Sequence, residues 1–428
     1  FTTLKDRLAL IDLCTENNIK TFSNDRSSYY RVVARDYSLN LSNWNTISAY
    51  SHAYNSVFKS KYVLEVDISD ISAFDPDTQE SMEIVSNSGY PSHVFKYEHM
   101  IVASFDIEMI PFNKGQFPDA NKCVKDSIFM ICVTFHYAKK PESLLNVNLT
   151  LKENDPMDDL VTIVCDTEAC LLLAFSKLID MIQPDFITEF NGGGFDWKNV
   201  IKKAQYFGVI SDFLRNMSLE RLTPWALQPK QLNRFFQMKE IKVDGATANC
   251  KCETLKMSGY VNFDTLVVFK QIEPKAMSHK LNACLELCNL GSKDELDIVD
   301  MFRIYREGTS AEMSMVAHYC FIDTFKLQAL LLKKNVIQDR REVCTLSMTS
   351  IYDAFYYANG SKICNILIHY GNKREYKFDT LYRPPVKDPK AKFPGAFVVP
   401  PQKGIVRPMF TYEEYMRENK IDIEPEEL

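Results

Sequence analysis

The pentapeptide Ser104-Phe105-Asp106-Ile107-Glu108 ends a run of branched and aromatic residues that begins at Met100. This run predicts a strand over residues 100–107. Alternate side chains of a strand leave the same face, so the carboxylates of Asp106 and Glu108 point to one side and can share a divalent cation. Two solvated acids on an exposed strand have the same pattern, and this stretch alone therefore leaves both interpretations open.

The segments on either side of this stretch predict the fold class. Strands are predicted at 127–135, 144–151, 186–190 and 260–268, and helices at 166–182, 196–207, 279–290, 311–334 and 350–358. The Asp244-Gly245 turn predicts a β-hairpin inserted at 235–255. The order of strands and helices predicts an α/β core of about 240 residues.

The amino-acid composition limits the classes of protein to which the chain can belong. Fifty-six acidic and 50 basic residues give a formal charge of −6 over 428 residues, and 46% of the residues are hydrophobic. Such a chain forms two or three folded domains, and its mild acidity argues against a protein that coats nucleic acid through bulk charge. The longest apolar runs are shorter than the roughly 18 residues of a membrane span. Twelve cysteines without a spaced framework, and no leader before Phe1, predict a reducing intracellular compartment and suggest a fragment.

A second candidate site is the loop Asn191-Gly192-Gly193-Gly194-Phe195-Asp196. Its glycines allow a backbone or a ligand to approach closely, Asn191 can hydrogen-bond a sugar or base, and Phe195 can stack on one. Asp196 would add a third carboxylate. An Asp in this place can also simply cap the following helix.

A third candidate lies in the helix predicted over 311–334. Tyr319 and Asp323 are four residues apart, so the phenol and the carboxylate share one helical face. Asp323 would complete a set of four carboxylates, which is the number needed to hold two ions for phosphodiester hydrolysis. Tyr319 would then orient the attacking water.

Together these motifs resemble the three exonuclease motifs of family B DNA polymerases, in the same order. They are Phe-Asp-Ile-Glu at 105–108, Asn-(x)3-Phe-Asp at 191–196 and Tyr-Cys-x-x-Asp at 319–323. The stretches 259–264, 278–282 and 395–398 are also similar, and the resemblance covers about residues 100 to 405. It implies an RNase H-like 3′→5′ exonuclease core, with a mixed sheet, flanking helices and a hairpin insertion, preceded by a mixed α+β N-terminal domain.

The resemblance also assigns roles to individual residues. It makes Asp106, Glu108, Asp196 and Asp323 the ligands of two Mg²⁺ or Mn²⁺ ions. Tyr319 becomes the water-orienting hydroxyl, Asn191 and Phe195 hold the single-stranded 3′ end, and Phe393 and Gly395 belong to a loop that touches template DNA. The hairpin, with Lys239, Lys242, Lys251 and Lys256, resembles the element that helps part primer from template.

Three residues depart from the family pattern, and a fourth leaves a choice. Met109 stands where the family usually has a small polar residue or Cys, Tyr260 replaces a commonly basic residue, and Phe393 replaces a Tyr. His318, five residues before Asp323, has the spacing of related nucleases that use a general-base His. We favour Tyr319 because residues at i and i+5 do not share a helical face.

The resemblance implies a division of the chain and a function. The predicted division is an N-terminal domain at 1–97, the exonuclease domain at 98–340, a return to the N-terminal domain at 341–380, and a linker with the start of a palm domain at 381–428. Neither Asp-x-x-Ser-Leu-Tyr-Pro nor Tyr-x-Asp-Thr-Asp occurs, so the palm motifs for nucleotide addition are absent from this chain. The implied function is the N-terminal and proofreading portion of a DNA-directed DNA polymerase.

The expected partners are primer–template DNA with its single-stranded 3′ end, deoxynucleotides through the missing palm, and a processivity factor as a further candidate, with no membrane. The long N-terminal region points to a large DNA virus, and hence to the host cytoplasm; a cellular enzyme would act in the nucleus. Two alternatives stay open. One is a free-standing 3′→5′ exonuclease, and the other is a catalytically silent nucleic-acid-binding scaffold.

Overall fold

The computed structural model describes residues 9–10, 12–14, 16–17, 29–54, 56–74, 83, 100–228, 239–242, 251–293, 296–357 and 359–374. The chain divides into two compact units, Phe1–Asn24 with Asp379–Leu428, and Asp25–Phe378. The described residues of the first unit are mostly helical. The second unit contains every element discussed below.

Short elements come first in the larger unit. They are α1 (Tyr29–Asp36), β1 (Asn45–Ile47), β2 (Ser51–His52), β3 (Leu64–Glu65) and β4 (Ile71–Ala73). β1 pairs with β4, and β2 pairs with β3, both antiparallel. Helix and strand are therefore mixed in this region, but the prediction of a separate domain over 1–97 stays a prediction.

One six-stranded mixed sheet organises the unit, and a separate hairpin accompanies it. The strands are β5 (Ile101–Ile110), β6 (Ser127–Tyr137), β7 (Ser143–Thr150), β8 (Val161–Val164), β9 (Phe186–Glu189), β10 (Lys239–Lys242), β11 (Lys251–Thr254) and β12 (Val261–Asp264). The sheet order is β12-β9-β5-β6-β7-β8. β6 is antiparallel to both neighbours, whereas the other three pairings are parallel. The predicted mixed sheet is confirmed, and β10 with β11 forms the predicted antiparallel hairpin.

Ten helices follow α1 among the described residues. They are α2 (Glu168–Ile182), α3 (Asp196–Tyr206), α4 (Ile210–Met217), α5 (Thr265–Ile272), α6 (Leu281–Leu287), α7 (Ile298–Glu307), α8 (Ser310–Lys333), α9 (Val336–Ser347), α10 (Ile351–Tyr356) and α11 (Asn359–Lys373). α8 begins with a capping box in which Thr309 and Glu312 each bond the other's backbone N–H. This cap fixes the first turn of the helix that carries the third motif.

Helices cover both faces of the sheet. Alternate residues of β5 leave opposite faces, so this strand contributes side chains to both layers of helices. Phe105 packs against Phe175 and Trp197 under α2 and α3, with ring centroids 5.1 and 4.8 Å apart. Full burial of a Phe side chain contributes about 1.5 to 3 kcal/mol. On the other face, α8 buries Val316 and Ala317 against β6. Asp106 and Glu108 alternate with Phe105 and therefore face α8.

The segment after α8 contacts the beginning of the unit. Arg31 of α1 forms a buried ion pair with Asp353 at 3.0 Å, and Arg341 donates to the carbonyl of Ser42 at 2.7 Å. The predicted return of 341–380 to the N-terminal domain is consistent with these contacts, although the domain boundaries themselves stay a prediction.

The predicted strand over 260–268 was wrong in its second half. Only Val261–Asp264 is a strand, and α5 begins directly after it. The Asp264 carboxylate accepts from the backbone N–H of Leu266 at 2.9 Å, and this N-cap starts a helix inside a run that is otherwise typical of a strand. Strand β8 and helices α4, α7, α9 and α11 were not predicted.

Among the described residues, no helix is both long enough and apolar enough to span a membrane.

Candidate active site

The first two carboxylates lie at the centre of the sheet. Asp106 and Glu108 are partly exposed on the α8 face of β5. Met109 is 3% exposed and belongs to the core on the opposite face. The departure at Met109 therefore does not alter the face that carries the two carboxylates.

The glycine-rich loop brings a third carboxylate to the same place. Asn191 has a left-handed φ of 66°, and the Asp264 carboxylate accepts from its backbone N–H at 2.9 Å. A Cβ on Gly192 would lie 1.7 Å from Cγ of Glu189, so glycine is required there. The N-cap residue of α3 is Phe195, not Asp196, and it makes no side-chain cap bond. Asp196 is 2% exposed and is not the helix cap that the sequence left open as an alternative.

Helix α8 supplies the fourth carboxylate and the phenol. Asp323 is 9% exposed, Tyr319 is partly buried, and His318 is exposed. The His318 ring lies 6.3 Å from the ring of Phe321. The structure thus places Tyr319, rather than His318, on the inner side of α8 next to Asp323.

A lysine that the sequence reasoning missed joins the two α8 groups. The Nζ atom of Lys293 lies 2.6 Å from Oδ2 of Asp323 and donates to the Tyr319 hydroxyl at 3.0 Å. Burial alone would lower the pKa of Lys293, but the charge of Asp323 and the hydrogen bonds to Asp323 and Tyr319 raise it overall. Lys293 lies in a charged loop before α7, where no spacing or periodicity could have singled it out.

The four carboxylates interact strongly with one another. Burial and then the charges of Asp196, Glu108 and Asp323 raise the pKa of Asp106 well above its usual range. Burial and then Asp323 raise the pKa of Glu108 to about 8. Burial also raises the pKa of Asp196 to about 7. The site therefore concentrates negative charge that a cation would relieve.

The donor atoms suit divalent cations. Buried Oδ1 atoms of Asp196 and Asp323 have no hydrogen-bond partner, which is costly unless a ligand satisfies them. Ligand atoms of Asp106, Glu108 and Cys320 lie within 4.8 Å of one another. Carboxylate oxygens are the ligands that Mg²⁺ and Mn²⁺ prefer. The residues present fit the metals that the motifs predict.

A cleft opens directly onto these groups. Its volume is about 410 Å³, within the range of ligand pockets. It is lined by Asp106, Phe190, Asn191, Leu266, His279, Lys280, Leu281, Lys293, Asp323 and Leu327. The cleft thus connects the carboxylates to the Asn191 loop.

Aromatic side chains border the other side of that loop. Phe195 lies 5.7 Å from Phe117, ring centre to ring centre, and Phe117 is 68% exposed. Phe195 also lines a second cleft of about 440 Å³, together with Lys198 and Lys202. Phe117 lies in the long β5–β6 connection, where no spacing in the sequence points to it.

The structure does not describe the placement of several predicted residues. Phe393 and Gly395 lie outside the described residues, as does the turn of the hairpin. The strands of that hairpin are described, but the side chains of Lys239, Lys242 and Lys251 are not. Lys256 lies over the ring of Tyr352, at 4.9 Å from its centre.

Comparisons with known proteins identify the family of the chain. Residues 19–284 match the model of the DNA polymerase family B, exonuclease domain. This range includes Asp106, Glu108 and Asp196 but ends before Lys293, Tyr319 and Asp323, whose placement rests on the third motif and on the contacts of α8.

Several curated relatives are DNA polymerases of viruses. The chain is 32% identical over 95% of its length to a protein named DNA polymerase beta of African swine fever virus, and it covers 32% of that protein. It is 27% identical over 59% of its length to DNA polymerase 120R of invertebrate iridescent virus 3, covering 22% of that protein. It is 23% identical over 69% of its length to a DNA polymerase catalytic subunit of psittacid herpesvirus 1, covering 26%. The chain spans less than a third of the length of these relatives.

Proposed function

Because the chain belongs to the exonuclease-domain family of the family B DNA polymerases, we propose that it is the N-terminal and proofreading portion of such a polymerase, from a large DNA virus. It removes mismatched nucleotides from the 3′ end of a primer. The observation that carries this proposal is the convergence of four carboxylates, from β5, the start of α3 and α8, beside a cleft that Asp106 and Asp323 line.

The carboxylates of Asp106, Glu108, Asp196 and Asp323 hold two Mg²⁺ or Mn²⁺ ions. When bound, such a pair lowers the pKa of the attacking water and stabilises the leaving 3′ oxygen. Tyr319 orients the water through its hydroxyl. Lys293 holds Tyr319 and Asp323 in place and supplies positive charge beside the phosphate that is attacked.

The single-stranded 3′ end lies in the cleft between the carboxylates and the Asn191 loop. Asn191 is exposed and can hydrogen-bond the terminal nucleotide, while Phe195 and Phe117 offer faces on which bases stack. Base stacking on an aromatic side chain is worth about 1 to 3 kcal/mol per base. A frayed, mismatched end enters more readily than a paired one because its unpairing costs less.

The remaining parts of the function lie beyond this chain. Deoxynucleotides would be added by a palm domain outside these residues, on primer–template DNA, with a processivity factor as a candidate partner and the host cytoplasm as the compartment. A free-standing exonuclease would use the same site without a palm. A silent binding scaffold is disfavoured because it would have no use for buried carboxylate oxygens without partners.

The experiment is digestion of a 5′-labelled primer, paired or with a mismatched 3′ nucleotide, by the full chain with Mg²⁺ or Mn²⁺. Asp106→Asn and Asp323→Asn should abolish shortening from the 3′ end, whereas Asp158→Asn, at an exposed acid, should leave it unchanged. Faster digestion of the mismatched primer supports proofreading. A folded chain that digests neither substrate with either ion would overturn the nuclease and favour the scaffold.

A further inference from the structure

Helix α11 exposes its apolar side and buries its polar side. Ile363, Leu367 and Tyr370 are 55%, 53% and 51% exposed. Because they are spaced by four and then three residues, they form one apolar stripe along the helix. The buried side chains of α11 are polar, and they include those of Lys362, Asn365 and His369. A surface helix normally buries its apolar stripe, so the reverse orientation needs a physical cause.

Hydrogen bonds to the ends of two other helices fix this orientation. Asn365 donates to the carbonyl of Ser347, the last residue of α9, at 2.6 Å. Nδ1 of His369 lies 3.0 Å from the carbonyl oxygen of Arg35, in the last turn of α1. Carbonyls at the C-terminus of a helix lack a partner within their own helix, and these bonds supply one. Turning α11 to bury the apolar stripe would break both bonds.

An apolar stripe that is held outward suits contact with another folded domain. Exposed apolar patches with a polar border are typical of interaction surfaces. Here Lys373 and Arg374, both exposed, follow the stripe at the end of α11. The helix therefore presents an apolar centre with a charged edge.

The position of α11 in the chain indicates which domain would cover the stripe. It is the last described element, and the start of a palm domain is predicted at 381–428. The chain covers only 32% of the DNA polymerase beta of African swine fever virus, so most of that relative lies outside the part that it matches. A domain that follows α11 closely in the chain would be present at a high effective concentration, about 1 mM for a short connection.

We propose that the apolar stripe of Ile363, Leu367 and Tyr370 is the docking surface for the palm domain of the same polymerase. The identity of this occupant rests on the proposed function. Helix α11 belongs to the same compact unit as the four carboxylates, so docking here would hold the exonuclease cleft in a fixed orientation toward the domain that extends the primer. A second copy of this chain is the competing occupant.

Two cysteines of the chain allow a test by thiol labelling. Cys364 is exposed one turn from Leu367, and Cys170 is exposed on α2. Their rates of reaction with a small maleimide are measured by peptide mass spectrometry, in this chain and in the longer polymerase that continues through the palm. In the longer protein Cys364 should react at least about 10-fold more slowly, as for a contact with a Kd of about 0.1 mM at an effective concentration of about 1 mM. Cys170 should react at the same rate in both proteins.

Matched variants decide whether the stripe makes the contact. Leu367→Asp should restore the fast reaction of Cys364 in the longer protein, whereas Met181→Asp, at an exposed position of α2, should not. Neither substitution should change the urea unfolding of this chain, because both side chains are exposed. Equal reaction of Cys364 in the two proteins, or slow reaction that Leu367→Asp does not relieve, overturns the proposal. Protection of Cys364 that grows with the concentration of this chain alone would make a second copy the occupant and overturn it as well.

The reactions of the longer protein test the proposed function separately. Nucleotide addition and digestion of a mismatched primer are measured on the same preparations. A longer protein that performs both reactions while Cys364 reacts freely overturns the docking alone. A gene that continues without a palm overturns both the polymerase and the docking.

Discussion

Replacing Glu108 by Gln should stabilise the metal-free protein at alkaline pH. Burial, followed by the charge of Asp323, raises the pKa of Glu108 from 4.5 to about 8. A tenfold change in proton affinity equals about 1.4 kcal/mol, so this change is worth on the order of 5 kcal/mol. Glu108 is partly exposed and its neighbours titrate with it, so we expect a gain of about 2 to 4 kcal/mol in the free energy of unfolding.

The direction of the change in the free energy of unfolding depends on which state binds the Glu108 proton more tightly. The folded state binds the Glu108 proton more tightly than the unfolded chain does, so this carboxyl stabilises the fold below pH 4.5 and the contribution is lost as the pH rises to about 8. Gln carries no charge at any pH. The advantage of Glu108→Gln should therefore be small near pH 4.5, grow as the pH rises, and be complete above pH 8.

The assay is urea unfolding of both proteins in a chelator, at about pH 4.5 and about pH 8.5. Glu142→Gln, at an exposed acid just before β7, should show no gain at either pH. Mg²⁺ should stabilise the parent at the higher pH more than the Gln variant, because the variant has lost a ligand. An equal gain at both pH values, or none at about pH 8.5, would refute the charge-repulsion argument.

Three further results follow from the contacts of the site and of α1. Lys293→Met should lower single-turnover digestion by about 10²-fold, because a charge beside the reacting phosphate is lost; an unchanged rate would show that Lys293 only packs. Tyr319→Phe should slow digestion by about 10- to 100-fold while His318→Ala does not, and the reverse pattern would make His318 the active group. Arg31→Met should lower the free energy of unfolding by about 3 to 5 kcal/mol, because the buried charge of Asp353 then keeps only neutral hydrogen-bond partners such as Tyr30; a loss below about 1 kcal/mol in urea unfolding would contradict this.

Most of the correct predictions from the sequence rested on local patterns. Alternation along one strand placed Asp106 and Glu108 on a single face, and a four-residue spacing placed Tyr319 and Asp323 on one side of α8. The central strands β5, β6 and β7 were also predicted to within a few residues. These features depend only on residues that are close in the chain.

Features set by distant parts of the chain were not predictable in the same way. Lys293 reaches Asp323 from a loop, and Phe117 meets Phe195 from the β5–β6 connection, and neither has a periodic signal. The parallel pairing of β9 with both β5 and β12 joins segments far apart in sequence. Asp264 ended a strand and began a helix within one apolar run, which short-range propensity does not resolve.

Helix α8 makes the proposed activity depend on residues that are synthesised long after the first motif. It supplies Asp323, and it also buries Val316, Ala317 and Cys320 against β6. At about 5 to 20 residues per second, a ribosome needs roughly 10 to 45 s to pass from Asp106 to Asp323. A nascent or prematurely ended chain without α8 lacks both a carboxylate and the cover of its sheet, so it is at once inactive and exposed to proteolysis. Under the proposed function, a product that ends before α8 is therefore neither stable nor able to cut.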